Sequence, residues 1–147
     1  MSSASTPAGF AGHPQGVPYS SLEEGKQLGT CRFRVEREQV ERLVRLLADD
    51  DYKSLEPEGA QAPAAWGFLC VTKAMQEIAV VPPGCIFAGI ELDFHRGFEI
   101  GSEVVVEVSI DRLYEKRGRP YAEIRYAARA AEGKPLMDLN HIVIWAR

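Results

Sequence analysis

APAAWGFLCVTKAMQEIA, residues Ala62 to Ala79, is the stretch around which the rest of the chain is organised. Pro63 suits the N1 position of a helix, where a missing N–H costs nothing. Trp66, Phe68, Leu69, Val71, Ala74, Met75, Ile78 and Ala79 then cover almost the whole helical circumference. Lys73, Gln76 and Glu77 leave one narrow polar strip. A helix apolar nearly all round belongs in a core. Val80 to Gly84 ends it with two prolines and a glycine, the strongest local breakers. The stretch predicts one long buried helix with any active site at its beginning.

Beyond the helix the chain reads as strands. From Ile86 to His95 the even positions Ile86, Ala88, Ile90, Leu92 and Phe94 are apolar, while Glu91, Asp93 and His95 are polar. Period two predicts a strand with one buried face. Gly97 to Gly101 reads as a turn. Glu103 to Tyr114 alternates again, with Val104, Val106, Val108 and Ile110 inward and Glu103, Glu107 and Asp111 outward. Glu115 to Arg119 is a hairpin loop, Tyr121 to Ala131 pairs back, Glu132-Gly133-Lys134 is a second turn, and Leu136 to Trp145 is the last strand. Hairpin-joined strands imply an antiparallel sheet.

Before the helix, Cys31 to Val35 alternates as a short strand. In Arg37 to Ala48, Val40, Leu43, Val44 and Leu47 fall at i, i+3, i+4 and i+7, the pattern of a surface helix docked by one stripe. Asp49-Asp50-Asp51 closes it. Three acids at a helix C-terminus oppose the macrodipole, and broken local rules cluster at functional sites. Residues 1–21 are rich in Ser, Ala, Gly and Pro and carry no charged side chain, so they predict a flexible arm pinned near Val17-Pro18-Tyr19. Residues 22–147 form a single domain, of the α+β class, with an antiparallel sheet packed on a helix.

The bulk composition narrows the function. The chain has 147 residues, 46% of them hydrophobic and 26% charged, with a net charge of -4. That balance, with Arg and Glu interleaved, argues against nucleic acid as the partner. Three cysteines, Cys31, Cys70 and Cys85, make an odd number without C-x-x-C spacing. A zinc site and a disulfide framework are poorly supported, and reduced thiols in a cytoplasm are the simpler reading. No apolar run is long enough to span a bilayer, and the N-terminus lacks the pattern of a signal peptide.

Several stretches together resemble a known family. They are Phe33-Arg34-Val35 with Arg37-Glu38-Gln39-Val40, Ala62-Pro63 running into Trp66-Gly67-Phe68, Phe94-His95-Arg96 ahead of Ile100-Gly101-Ser102-Glu103-Val104, and Tyr114 to Gly118. In order and spacing they are similar to the MaoC-like hotdog-fold proteins, the (R)-specific enoyl-CoA hydratases and hydroxyacyl-CoA or hydroxyacyl-ACP dehydratases. The resemblance covers roughly Leu22 to Trp145. It implies a hotdog fold, a sheet wrapped around a central helix, and a homodimer or a heterodimer with another hotdog subunit. It implies acyl-CoA or an acyl-carrier thioester as substrate, and no cofactor or metal. The family's catalytic pattern is close to D-x-N-P-x-H. In this sequence Asp49 falls at the Asp, Asp51 at the Asn, Tyr52 at the Pro and Ser54 at the His.

Hydration of an enoyl thioester needs a base for water, an acid for the α-carbon and donors for the thioester oxygen. The resemblance makes Asp49 and Asp51 the candidate carboxylates, with His95 in place of the missing histidine. A solvated acidic loop and a surface histidine are the plainer readings. Trp66, Gly67 and Phe68 are the candidate substrate-binding residues. The start of the core helix would offer backbone N–H groups to the thioester oxygen, and Trp66 and Phe68 would line an acyl tunnel. Close packing explains Gly67 equally, and core packing the aromatics. His141 reads as structural. Three functions are compatible with the resemblance: a hydratase or dehydratase, a non-catalytic hotdog subunit or acyl-CoA-binding module, and a hotdog acyl-CoA thioesterase.

Overall fold

A computed structural model of the chain describes residues 17–47, 60–79 and 81–146. Asp49, Asp51 and Ser54 lie outside the described residues, as does most of the expected arm. Strand β1 (Gln27–Arg34) leads to helix α1 (Arg37–Leu47). A short strand β2 (Gln61–Ala62) precedes helix α2 (Ala64–Glu77). Then come β3 (Ile86–Phe94), β4 (Phe98–Glu99), β5 (Glu103–Lys116), β6 (Arg119–Ala130) and β7 (Pro135–Ile144). The main sheet is antiparallel in the order β1-β5-β6-β7-β3, and β2 pairs with β4.

The strong alternation of β5 and β6 builds the core. Val104, Val106, Val108 and Ile110 of β5 share the inner face with Ala122, Ile124, Tyr126 and Ala128 of β6, and none is more than 1% exposed. β7 adds Met137, Leu139 and Val143 to the same face. Helix α2 lies on that face and buries Trp66, Gly67, Cys70, Val71 and Ala74. The sheet therefore wraps a central helix, the hotdog arrangement expected from the sequence. The β5–β6 hairpin turns on Arg117 and Gly118, both at positive φ (51° and 70°), the handedness that matches strand twist.

Four expectations are corrected in detail. Pro63 is the N-cap of α2, not its first helical residue; its extended backbone (ψ 150°) belongs to the β2 approach. The helix is not buried all round within one chain: Phe68 is 38% and Leu69 50% exposed. Leu47, expected on the docked stripe of α1, is also exposed, while Val40 and Val44 are buried. The fourth correction concerns β3. A bulge at Ala88 shifts the pairing with β7 between Phe87 and Gly89, and one extra residue turns the earlier side chains to the other face. Phe87 therefore joins Ile90, Leu92 and Phe94 on the inner side, whereas Ile86 points outward. Even that inner side is open at the sheet edge, with Phe87, Leu92 and Phe94 all exposed.

Residues 17–26 close the far end of the sheet. The Tyr19 hydroxyl donates to the carbonyls of Tyr114 and Tyr121, at 3.2 and 3.0 Å, and the Trp145 indole N–H donates to the Val17 carbonyl at 2.8 Å. Among the described residues, no helix is long and apolar enough to cross a membrane.

Candidate functional site

The start of α2 is where the sequence places substrate-binding residues. Its first turn begins Ala64-Ala65, and no side chain among the described residues caps it. The Trp66 amide already donates to the Pro63 carbonyl at 2.9 Å. The amides of Ala64 and Ala65 precede it and have no acceptor within the helix. N–H groups without a helical acceptor, with the positive end of the macrodipole behind them, are suited to an oxyanion. The ring of Trp66 is buried and stacks at a tilt on Phe98, 5.6 Å between centroids. Gly67 is wedged against the same Phe98: a Cβ there would lie 2.5 Å from Phe98 Cε2 and 3.3 Å from Met137 Sδ. The absence of a side chain lets helix and sheet approach closely.

Two flanks of α2 remain open. Trp66, Leu69, Cys70 and Lys73 border one flank, which forms a cleft of about 670 Å³ with α1 and β1. Phe33 and Leu43 contribute apolar surface to the cleft from β1 and α1. On the other flank, helical spacing places Phe68 with Met75, away from the cleft and toward the side of the sheet whose edge strand β3 leaves its inner face exposed. Of the three candidate binding residues, Trp66 thus borders the cleft, Phe68 looks toward the sheet edge, and Gly67 sits between them against Phe98.

His95 stands elsewhere. It comes just after β3 on the outer face of the sheet, where its Nε2 meets Asp138 Oδ2 at 2.8 Å. Arg125 donates to the other oxygen of Asp138 at 3.0 Å. Met137, next to Asp138 in β7, points inward against Gly67, so the His95–Asp138–Arg125 cluster and the start of α2 lie on opposite faces. Burial raises the Asp138 pKa, but hydrogen bonds from His95 and Arg125 outweigh it and hold the carboxyl below its ordinary value. The cluster carries the hydrogen bonding of a general base held by an acid, on a solvent-facing surface.

Asp138 and Arg125 do not stand out in the sequence. Nothing local marks them, because their pairing with His95 depends on strand register across a separation of 43 residues. Equally hidden is that His141 is buried with neither ring nitrogen partnered among the described residues, its ring tilted against that of Phe87 at 4.7 Å between centroids. Burial lowers its pKa and keeps the ring neutral. The Tyr126 hydroxyl, also on the inner face, is likewise buried without a partner among the described residues. Among the described residues, no group of three or more His, Cys, Asp or Glu is placed to hold a metal.

Solved structures with the same fold include several hydratases and dehydratases. The R-hydratase PhaJ1 from Pseudomonas aeruginosa is 18% identical, with a TM-score of 0.68 over 88% of this chain and 86% of that one. A MaoC-like dehydratase from Rhodospirillum rubrum is 18% identical, with a TM-score of 0.67 over 87% and 96%. The HadBC (3R-hydroxyacyl-ACP dehydratase) complex from Mycobacterium tuberculosis is 16% identical, with a TM-score of 0.61 over 82% and 96%. No protein-family model matches the sequence, and no curated protein does. The likeness establishes the hotdog fold, as the resemblance implied.

Proposed function

We propose that this chain is a hotdog protein acting on an acyl thioester, as a hydratase of 2-enoyl-CoA or a dehydratase of a 3-hydroxyacyl thioester. The observation that carries this reading is the structural likeness to (R)-hydratases and MaoC-like dehydratases over most of both chains. The uncapped start of α2 supports it. The N–H groups of Ala64 and Ala65, which have no acceptor within the helix, would stabilise the negative charge that develops on a thioester oxygen, usually the largest single term in such chemistry. Asp49 or Asp51 would supply the base. His95 would take part only if a substrate reached the outer face of the sheet.

One sequence feature favours a second reading, a non-catalytic subunit. Ser54 stands where the family pattern carries histidine, and a similar structure is a complex of two hotdog chains. Both readings call for a partner. Edge strand β3 offers unpaired backbone groups and exposed Phe87, Leu92 and Phe94. Phe68 on α2 faces the same side. An edge of this kind invites pairing with another chain, and a second hotdog sheet in antiparallel register would cover it.

Crotonyl-CoA hydration by the purified protein tests the first reading. Turnover that is lost in Asp49→Ala and kept in Asp50→Ala supports it. Release of free thiol from acyl-CoA points instead to a thioesterase. Acyl-CoA binding without turnover on any thioester leaves the subunit reading standing and sinks both enzymatic ones.

A further inference from the structure

We infer that His141, with the Tyr126 hydroxyl beside it, reads a hydroxyl group at the far end of an acyl chain, and that Phe87 covers the pair until such a chain arrives. The inference rests on the acyl-thioester reading and names the class of acyl group, one with an uncharged oxygen distant from the thioester.

Unbonded polar atoms are the first argument. His141 lies across from Ile90 of β3 and Ile124 of β6, and Tyr126 across from Leu139 of β7. That register sets His141 and Tyr126 at diagonal positions of one sheet face, within reach of long side chains. Both His141 nitrogens and the Tyr126 hydroxyl are buried without a hydrogen-bond partner among the described residues. Ile90, Ile124, Leu139 and Val143 around them are apolar. Buried polar groups are seldom left so, because each has given up its bonds to water. Leucine and phenylalanine would fill the two positions without that cost.

The chemistry of the pair selects the ligand group. Burial keeps the imidazole neutral, and a neutral imidazole offers one N–H donor and one acceptor nitrogen. A phenol both donates and accepts. A ligand hydroxyl can donate to one of them and accept from the other. A carboxylate would carry a charge in among apolar side chains, and a methyl end would leave the polar atoms unbonded.

Access is the second argument. The Phe87 ring lies tilted against the His141 ring, 4.7 Å between centroids, yet Phe87 is 59% exposed. A ring so exposed can turn toward solvent without emptying a packed core. Its departure bares His141 toward the side where Leu92 and Phe94 leave the inner face of β3 open. Met137 packs against Gly67 at the start of α2. His141 follows it on β7 by four residues, about 13 Å at the usual strand rise. A chain with its thioester at the Ala64–Ala65 amides, following this face, ends beside His141.

Calorimetric titration of the full chain with octanoyl-, decanoyl- and dodecanoyl-CoA, each beside its terminally hydroxylated counterpart, is the test. At the fitting length the hydroxylated probe should bind about tenfold more tightly, the worth of one net hydrogen bond. The preference should vanish or reverse in His141→Leu and survive in His141→Gln, which keeps a donor and an acceptor. Phe87→Ala should tighten both members of a pair alike, and affinities unchanged by it overturn the role given to Phe87. Imidazole nitrogen NMR shifts of wild-type His141 serve if the variants fail to fold. They should move with the hydroxylated probe and not with the plain one. Equal affinity within every pair, a preference that His141→Leu leaves intact, or ring shifts indifferent to the hydroxyl overturns the inference. The same pairs are titrated as free acids. Discrimination among the acids without binding of any thioester keeps the His141 site and removes the thioester reading. Crotonyl-CoA turnover without hydroxyl discrimination removes the His141 site alone, and binding of no probe overturns it as well.

Discussion

At Gly67 a methyl group would sit 2.5 and 2.7 Å from two atoms of the Phe98 ring, which is itself 1% exposed and pressed on Trp66. Gly67→Ala gains about 1 kcal/mol in helix propensity, but overpacking of a core costs about 1–3 kcal/mol. Phe98 is held on several sides, so the steric cost wins and the urea midpoint should fall. Adding Phe98→Leu should restore part of the loss, which helix propensity alone would not do. His141 makes a different prediction. Its folded pKa is lowered by burial, so its neutral form is the one the fold holds. The stability linked to it is present above the ordinary histidine value of about 6.5. It is lost as pH falls from there through the lowered value. The melting temperature should therefore drop between pH 7 and pH 5, and His141→Leu should flatten that drop. Replacing an unpartnered buried ring by an apolar side chain is also close to neutral or stabilising at pH 7. An equal acid loss in the variant would place the sensitivity elsewhere. The sequence shows His141 alternating with apolar neighbours, in keeping with a structural residue. That neither nitrogen finds a partner depends on the side chains of β3 and β6 across from it, and no local pattern encodes those.

Strand β3 shows where periodicity stops being informative. Its alternation announces a strand, and a strand it is, over Ile86–Phe94. The bulge at Ala88 is invisible in the pattern, because Ile86 and Ala88 continue the apolar even positions straight through it. Nor does alternation say what covers the apolar face. In β5 and β6 that face is buried by the chain's own helix, whereas in β3 it lies open beside Phe68. Within one chain the open face costs hydrophobic burial and leaves a ready edge for pairing. A hotdog partner on this edge makes a direct prediction. Leu92→Lys or Phe94→Glu should leave the isolated chain folded, because both sites are already exposed in it. Either change should weaken association by at least about a hundredfold, roughly 3 kcal/mol for an unpaired charge driven into an apolar interface. Sedimentation velocity distinguishes the outcomes: wild type as a dimer and the variants as monomers supports pairing through β3, while a wild-type monomer removes it. Thr30→Lys on β1, at the opposite sheet edge, should change nothing.

For the whole molecule, the layers are legible before the contacts. The apolar circumference of α2 and the period-two strands behind it imply a helix against an antiparallel sheet. The acid at Asp49 and the serine at Ser54 can be aligned to a catalytic pattern, yet their geometry lies outside the described residues. His95 meets its partner only through the register of two distant strands. The cysteines span these layers and report on them together. Cys31 is on β1 and Cys70 on α2, both buried in the one core between helix and sheet. Burial, then the charge of Glu77 and a 3.6 Å hydrogen bond to it, push the Cys31 thiol up to about 11. Burial, then the proximity of Cys31, push Cys70 up to about 12 despite Lys73. A raised thiol pKa means stability that is present below the ordinary value of about 8.5 and lost as pH rises through the folded one. It also means that neither sulfur is a nucleophile near pH 8, since the thiolate is the reactive form. Iodoacetamide should therefore modify both only when helix and sheet separate. If the core opens as one unit, the two alkylation rates should coincide and rise together with urea, in proportion to the global unfolding equilibrium. Cys85, half-buried between α2 and β3, should react sooner. Mass spectrometry of the time course reads all three sites at once. A Cys70 rate well ahead of Cys31 would mean that α2 loosens while β1 stays paired, and the single cooperative core would have to be divided.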